Sequence, residues 1–445
     1  MFLIAMIVAL VLLIALYASA ATGEETSGIE GQCPYPLRKP IPEGVVEITG
    51  VPTAGGIVKL DDGSVMLALP EECRISDDDG VTWGEPKPLG TQMRCEGLIR
   101  LASGALAAWG SRGDHWSTTS NHISLSTDEG KTWGAPVHIC NRRDGVSYFH
   151  CMVQVSSGRL IFAVYWEGLD GREHPDLPFG RGQGIDEGCY GMYKGHPQQV
   201  EGHGHIPEMG ISYVWVSDDE GKTWESPLTR KDCLGGGLMG WFDFEGKING
   251  SCGMTPVFEP TVAETSDGRL LLFARSTVGR LVSSYSYDHG STWYAVRPTE
   301  LASGQSPPVL IRIPQTGDLL CVWNQVSREE IRRGYKRNRL SAAISKDGGA
   351  TWENFKTLEL SAGMDDVDRV PVGYPIRPTT GLRQVGEFPD GYVQCAYPNV
   401  DIAGDKVYVR YYRRWLALGE DGKPKMKYVK DGVLRVYPVA YFYAD

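Results

Sequence analysis

One octet governs how this chain can fold. Ser-x-Asp-x-Gly-x-Thr-Trp occurs five times, as SDDDGVTW at Ser76 to Trp83, STDEGKTW at Ser126 to Trp133, SDDEGKTW at Ser217 to Trp224, SYDHGSTW at Ser286 to Trp293 and SKDGGATW at Ser345 to Trp352. Its Asp can accept backbone N–H bonds across a tight turn, its Gly can take positive φ, and its Trp can fold back onto a hairpin. Each copy follows an apolar strand. Upstream, alternating strands turn at Asp62-Gly63, Ser103-Gly104, Ser157-Gly158, Asp267-Gly268, Thr316-Gly317 and Asp390-Gly391. Five units are complete. The sixth lacks its octet but keeps strands at Tyr392 to Tyr397 and Lys406 to Arg410, with Leu434 to Tyr443 and Val45 to Thr49 available as outer strands.

Six small sheets in series predict an all-β six-bladed β-propeller of four-stranded antiparallel blades, because no such sheet buries both faces alone. The 55 glycines and the absence of sustained helical periodicity after residue 22 agree with this. Residues 45–445 form the expected propeller and residues 21–44 an N-terminal extension. A Gly-, Pro- and His-rich insertion at about 167–209 reads as a functional or covering loop. Residues 1–20, apolar and ending Ala18-Ser19-Ala20, read as a signal peptide, with an uncleaved anchor as the other reading.

A net charge of −11 without a basic block argues against nucleic acid, and a membrane enters only through an uncleaved N-terminus. The ten cysteines permit disulfides in an exported chain, although spacing fixes no pairing and buried free thiols are equally compatible. No cofactor or metal is expected. His203, His205 and Glu208 are too unspecific in spacing to define a metal site.

In a propeller, residues at one phase of every blade converge on the axis. Seven residues past the hairpin Gly stand Arg275, Asn324, Tyr165 and Ser111, with Tyr397 one residue earlier in the sixth unit. At the mouth of the first strand stand Glu259 and, close in phase, Arg94 and His150. Polar and aromatic groups at these positions suggest a ligand site. Glu259 beside Arg275 has two readings, a working carboxylate or a structural ion pair.

The octet and these residues resemble the sialidase (neuraminidase) superfamily, whose repeated motif is the Asp-box. The segment EPTVAETSDGRLLLFAR resembles the family's link between a catalytic Glu and a clamp arginine, which implies those roles for Glu259 and Arg275. Lys336-Arg337-Asn338-Arg339-Leu340 resembles the place of another clamp arginine, best matched by Arg337, and Cys395-Ala396-Tyr397-Pro398-Asn399 the motif of a tyrosine nucleophile. Guanidinium groups suit an anomeric carboxylate, and a Tyr, unlike a carboxylate nucleophile, is not repelled by it. The resemblance implies an exported exo-glycosidase for sialic acid or a related acidic sugar on a glycan. The alternatives are a glycosidase for another sugar and a non-catalytic glycan-binding propeller.

Two features depart from the family. Its first arginine is missing from Val51-Pro52-Thr53-Ala54-Gly55-Gly56, and Arg94 is the nearest substitute by phase, Arg38 lying too far upstream. The first-blade loop that carries the family's acid/base is shortened to Leu69-Pro70-Glu71-Glu72-Cys73, leaving Asp114, Glu71 or Glu72 as proton donors, each of which also reads as a solvated loop charge.

Overall fold

The computed structural model describes residues 33–444 except 114–118, 142–144, 167–189, 200–210, 227–239, 244–251, 256, 277, 373–383 and 430–431. The insertion is thus described only at 190–199, and Asp114, His203, His205 and Glu208 lie outside the described residues.

Apolar strands punctuated by Gly turns assemble into small antiparallel sheets in chain order. The first comprises Gly56–Lys59, Val65–Ala68, Glu72–Ser76 and Lys87–Pro88, and the second Arg94–Arg100, Leu106–Arg112, Ser120–Ser126 and Val137–Asn141. The third has Met152–Gln154, Leu160–Trp166 and Ile211–Ser217, with a bridge from Val216 to Glu225 at its outer edge. The fourth comprises Phe258–Glu264, Leu270–Arg275, Arg280–Ser286 and Arg297–Ala302, and the fifth Val309–Arg312, Leu319–Asn324, Arg339–Ser345 and Glu353–Leu360. The last sheet joins both ends of the chain: Val393–Ala403, Lys406–Leu418 and Val433–Pro438 are followed by the N-terminal strand Val46–Thr49, and Pro424–Tyr428 pairs with the far half of Lys406–Leu418.

The first strand of each sheet lies beside the first strand of the next, and Val393–Ala403 of the last lies beside Gly56–Lys59 of the first. Cores fill the seams, as where Val309, Val322 and Ile344 of the fifth sheet pack with Val400, Val409 and Tyr411 of the last. The octets reinforce this order. In each, the Asp caps its turn, as when the Asp78 carboxylate accepts from the Thr82 N–H at 2.8 Å, the Thr82 hydroxyl at 2.7 Å and the Ser76 hydroxyl at 2.8 Å. These donors, the Thr hydroxyl foremost, hold Asp78, Asp128 and Asp219 down to about 2. The octet glycine presses on the preceding sheet: a Cβ on Gly130 would meet Met66, on Gly221 Ile123, on Gly290 Ile161 and on Gly349 Leu271, while Gly80 of the first sheet faces Tyr408 of the last. Some octet tryptophans also reach past their own hairpin. Trp352 packs on Phe273 of the preceding sheet, whereas Trp224 covers Phe162 of its own.

Five of the six predicted hairpin turns stand where the sequence places them. The sixth does not. Asp390-Gly391 precedes the last sheet, and the hairpin turns instead at Gly404, between Val393–Ala403 and Lys406–Leu418. Asp390 accepts from the Tyr193 hydroxyl at 3.0 Å, and the neighbouring strand Gln384–Glu387 pairs in parallel with Tyr190–Tyr193 of the insertion. Tyr392 to Tyr397 therefore belong to a first strand, not a second. Among the described residues no disulfide forms. Cys95, Cys321 and Cys395 are buried thiols, and burial pushes the Cys95 thiol up to about 12. No helix of the described residues is long and apolar enough to cross a membrane.

Candidate active site

The site is built from irregularities in the first strands. In the fourth sheet the register slips between Phe258 and Thr261, in the last between Ala396 and Asn399, and in the second between Cys95 and Gly97. Each slip adds one residue: Glu259 and Pro260 together face one partner position, as do Tyr397 and Pro398, and Glu96 stands unmatched between Cys95 and Gly97. A bulge bends its strand and re-aims the extra side chain. Glu259 and Tyr397 accordingly take φ of +49° and +55°, a left-handed backbone that costs about 1–3 kcal/mol for a residue with a Cβ. His150, at the start of the third sheet, has φ of +56°.

These backbones bring two guanidiniums onto two acceptors. Arg275 ends the second strand of the fourth sheet and donates to the Glu259 carboxylate at 2.9 Å, both side chains being buried. Arg337 lies just before Arg339–Ser345, held where its carbonyl accepts the Cys395 N–H at 2.7 Å. Its guanidinium carbon sits 4.4 Å from the centre of the Tyr397 ring, and an Nη donates to the Tyr397 hydroxyl at 3.4 Å. The far side of that ring environment is Tyr148, 5.8 Å away centre to centre, whose hydroxyl donates to the Pro398 carbonyl at 3.3 Å.

The four groups share one electrostatic environment. Burial would lower the Arg275 pKa and Arg337 adds to that, but the opposing Glu259 and Tyr397 charges outweigh them, so the guanidinium stands above its ordinary value. Burial, then Glu259 and Tyr397, push the Tyr148 phenol well above the usual tyrosine range, so it stays neutral. Burial, with Arg410 as a lesser cause, lowers His150 to about 4.

The structure brings Glu259, Arg275, Arg337 and Tyr397 together and sets the other sequence candidates apart. Arg94 is exposed at the start of its strand, opposite Ser111, and among the described residues its side chain makes no hydrogen bond or ion pair. Asn324 is buried beneath the site, donating to the carbonyls of Arg339 at 3.1 Å and Cys395 at 2.8 Å, so its amide supports the Tyr397 strand. Tyr165 stacks edge-on against Phe258, next to Glu259, at 5.6 Å. Arg339 is turned away by a bidentate pair with buried Glu330, at 2.8 and 3.0 Å, which leaves Arg337 as the inward arginine of that segment. Glu71 is exposed and Glu72 pairs with Arg74 at 2.9 Å. Sequence reasoning missed Tyr148 and Glu96. Glu96 was within reach: it stands two residues from Arg94 and eight before the Gly104 turn, as Glu259 stands nine before Gly268.

The sequence profile described as a BNR repeat-like domain matches residues 100–409, a span that holds four of the five octets together with Glu259, Arg275, Arg337 and Tyr397. The chain belongs to this family. Solved structures similar to this BNR repeat-like protein include a protein of unknown function from Dyadobacter fermentans, at 15% identity and TM-score 0.47, covering 88% of this chain and 99% of that one. The Hadza microbial sialidase Hz136 is 15% identical with a TM-score of 0.48, covering 87% and 65%. Trypanosoma rangeli sialidase in complex with 2,3-difluorosialic acid is 12% identical with a TM-score of 0.43, covering 89% and 55%. The BNR repeat-like chain thus spans less than two thirds of the length of either sialidase.

Proposed function

We propose that this chain is an exported, sialidase-like exo-glycosidase that removes a terminal sialic acid, or a related acidic sugar, from a glycan by a retaining double displacement. The reading takes residues 1–20 as an export signal and residues 45–445 as one closed six-bladed propeller, supported by first strands that each adjoin the next and by octets that each lean on the preceding sheet. The single observation that carries the function is the packing of Tyr397 under Arg337 beside the Glu259–Arg275 pair.

Tyr397 is the nucleophile. A phenol is a weak acid and needs a base and a neighbouring positive charge to attack at neutral pH. Arg337 supplies the charge at the hydroxyl and Glu259 the base. Arg275 and Arg337 hold the sugar's carboxylate by charge-assisted hydrogen bonds, and the buried Nε of Arg275 has no hydrogen-bond partner among the described residues. The decisive experiment is release of 4-methylumbelliferone from its sialic acid glycoside by the full chain. Turnover is expected in the parent and lost in Tyr397→Phe and Glu259→Gln. Undiminished activity in both variants sinks the mechanism.

One observation favours a different sugar. The segment Val51–Gly56 supplies no arginine, and its backbone is occupied from beneath: Arg410, buried and bonded to Asp401 at 2.8 Å, donates to the carbonyls of Ala54 at 3.0 Å and Gly55 at 2.8 Å. That leaves two clamp guanidiniums, one of them already neutralised by Glu259. A glycosidase acting on a sugar of lower charge is therefore the second reading, and aryl glycosides with and without an anomeric carboxylate separate the two.

A further inference from the structure

The nucleophile, base and clamp leave the departing oxygen without a proton source. We infer that Glu96 is the acid/base of this site, an assignment that rests on the glycosidase reading above. Like Glu259 and Tyr397 it stands at a bulge in the first strand of its sheet, as the unmatched residue between Cys95 and Gly97, although without their left-handed φ. Unlike Glu259, it has no ion pair among the described residues. Its carboxylate accepts instead from the Ser111 hydroxyl at 2.7 Å and faces the Ser147 hydroxyl at 3.2 Å. Ser147 precedes Tyr148, whose ring lies tilted against that of Tyr397 at 5.8 Å, so the support of Glu96 and the support of the nucleophile are consecutive residues.

The arrangement serves both protonation states. Asn121 donates its amide to the Gly145 carbonyl at 2.9 Å, which turns its oxygen towards the Ser147 hydroxyl, 3.1 Å away. Ser147 therefore lies between two acceptors with one proton to give. When Glu96 is ionised, Ser147 donates to it. When Glu96 is protonated, Ser147 donates to Asn121, and its own oxygen can accept from the carboxyl. A group that must be acid in one step and base in the next needs such tolerance, since an unmatched buried partner would penalise one state.

In the first step the Tyr397 oxygen bonds to the anomeric carbon, the bond from that carbon to the aglycone oxygen breaks, Glu96 passes its proton to that oxygen, and Glu259 takes the phenol proton. In the second, Glu96 takes a proton from water as the water oxygen attacks the anomeric carbon, and the departing phenolate recovers its proton from Glu259. The ledger closes without a co-reactant.

The test compares the full-length parent with Glu96→Gln on two sialosides, one with a 4-nitrophenyl and one with a lactose aglycone. Loss of an acid falls on the poor leaving group: kcat/KM for the lactoside should drop by roughly 10²–10⁴-fold, and the bond-breaking step of the nitrophenyl substrate by less than about tenfold. Azide, which needs no base, should restore turnover of the nitrophenyl substrate and give a glycosyl azide of retained configuration. Ser147→Ala, a milder change in case Glu96→Gln does not fold, should show the same leaving-group split at smaller size. Equal losses on both substrates, no azide product, or a split seen in Asp114→Asn instead would overturn the assignment while leaving the glycosidase reading standing. A folded parent that cleaves neither sialoside nor neutral aryl glycosides would overturn both.

Discussion

Glu259 and Arg275 pair directly at 2.9 Å, so their structural and chemical roles have to be separated by measurement. Removing one partner of a buried pair strands the other charge, and Arg275→Ala is expected to cost about 3–5 kcal/mol in chemical denaturation, most of it recovered when Glu259 is replaced by Leu in the same chain. A pair that only braces the fold would leave the activity of the remaining folded fraction unchanged, which is the outcome that excludes a clamp role. His150 gives a second residue-scale expectation. Its pKa falls from 6.5 in the open chain to about 4 in the fold because burial disfavours the cation. Between those values the unfolded chain binds more protons, so stability is complete above pH 6.5 and declines as pH falls towards 4, by on the order of 3 kcal/mol. His122, also lowered by burial, adds in the same direction. The slope over this window should flatten in His150→Gln. What the sequence made legible at this scale was residue type: a Glu, a Tyr and two arginines whose chemistry is coherent. What it hid was position, because a bulge adds a residue without announcing it, and counting back from Gly104 gave Arg94 when the bulged residue was Glu96.

The octet works between sheets as much as within its own turn, and two glycines isolate that contribution. Gly349 and Gly104 share a φ of +91°, but a Cβ on Gly349 would fall 2.2 Å from Leu271 of the preceding sheet, whereas one on Gly104 would meet nothing within 4 Å. Gly104→Ala should cost only the strain of the left-handed backbone, about 1 kcal/mol, and Gly349→Ala a further 1–3 kcal/mol for overpacking a seam. Equal shifts in thermal midpoint would mean that the octet acts only within its own sheet. The same elements show where sequence reading stopped. Five hairpins were legible because Gly follows a turn-forming residue between alternating strands. The sixth was not, since Pro389-Asp390-Gly391 is the stronger turn signal and Gly404-Asp405 the weaker, and the former is used to seat the insertion. Tyr397 was nevertheless assigned to the site. It reached it from the first strand, as Glu259 does, and not from the second, as Arg275 does.

At the scale of the whole molecule, what has to be secured is the join between the two ends of the chain. Val46–Thr49 adds to the last sheet by backbone bonds to Val433–Pro438, a pairing that the short alternating segment at Val45 to Thr49 already suggested. Its Glu47 accepts from Arg413 at 2.7 and 3.0 Å and from Arg435 at 2.7 Å, and both arginines also donate to Glu359 on the outer strand of the fifth sheet. One cluster therefore ties the N-terminal strand, the last sheet and the fifth sheet. Burial alone would raise the carboxyls of Glu47 and Glu359, yet the two guanidiniums outweigh it and hold both below their ordinary value of 4.5. A carboxylate held low gives stability that is whole above the unfolded pKa and fades as pH drops through the folded one. The parent should accordingly lose stability below about pH 4.5 in addition to the histidine effect. Glu47→Ala should lose about 3–5 kcal/mol at neutral pH, since it leaves two buried guanidiniums sharing one carboxylate, and should show a shallower acid limb. Hydrogen exchange locates the damage. Faster exchange confined to Val46–Thr49 and Val433–Pro438 means that the cluster closes the join, whereas uniform acceleration across all sheets would place its contribution in the general core.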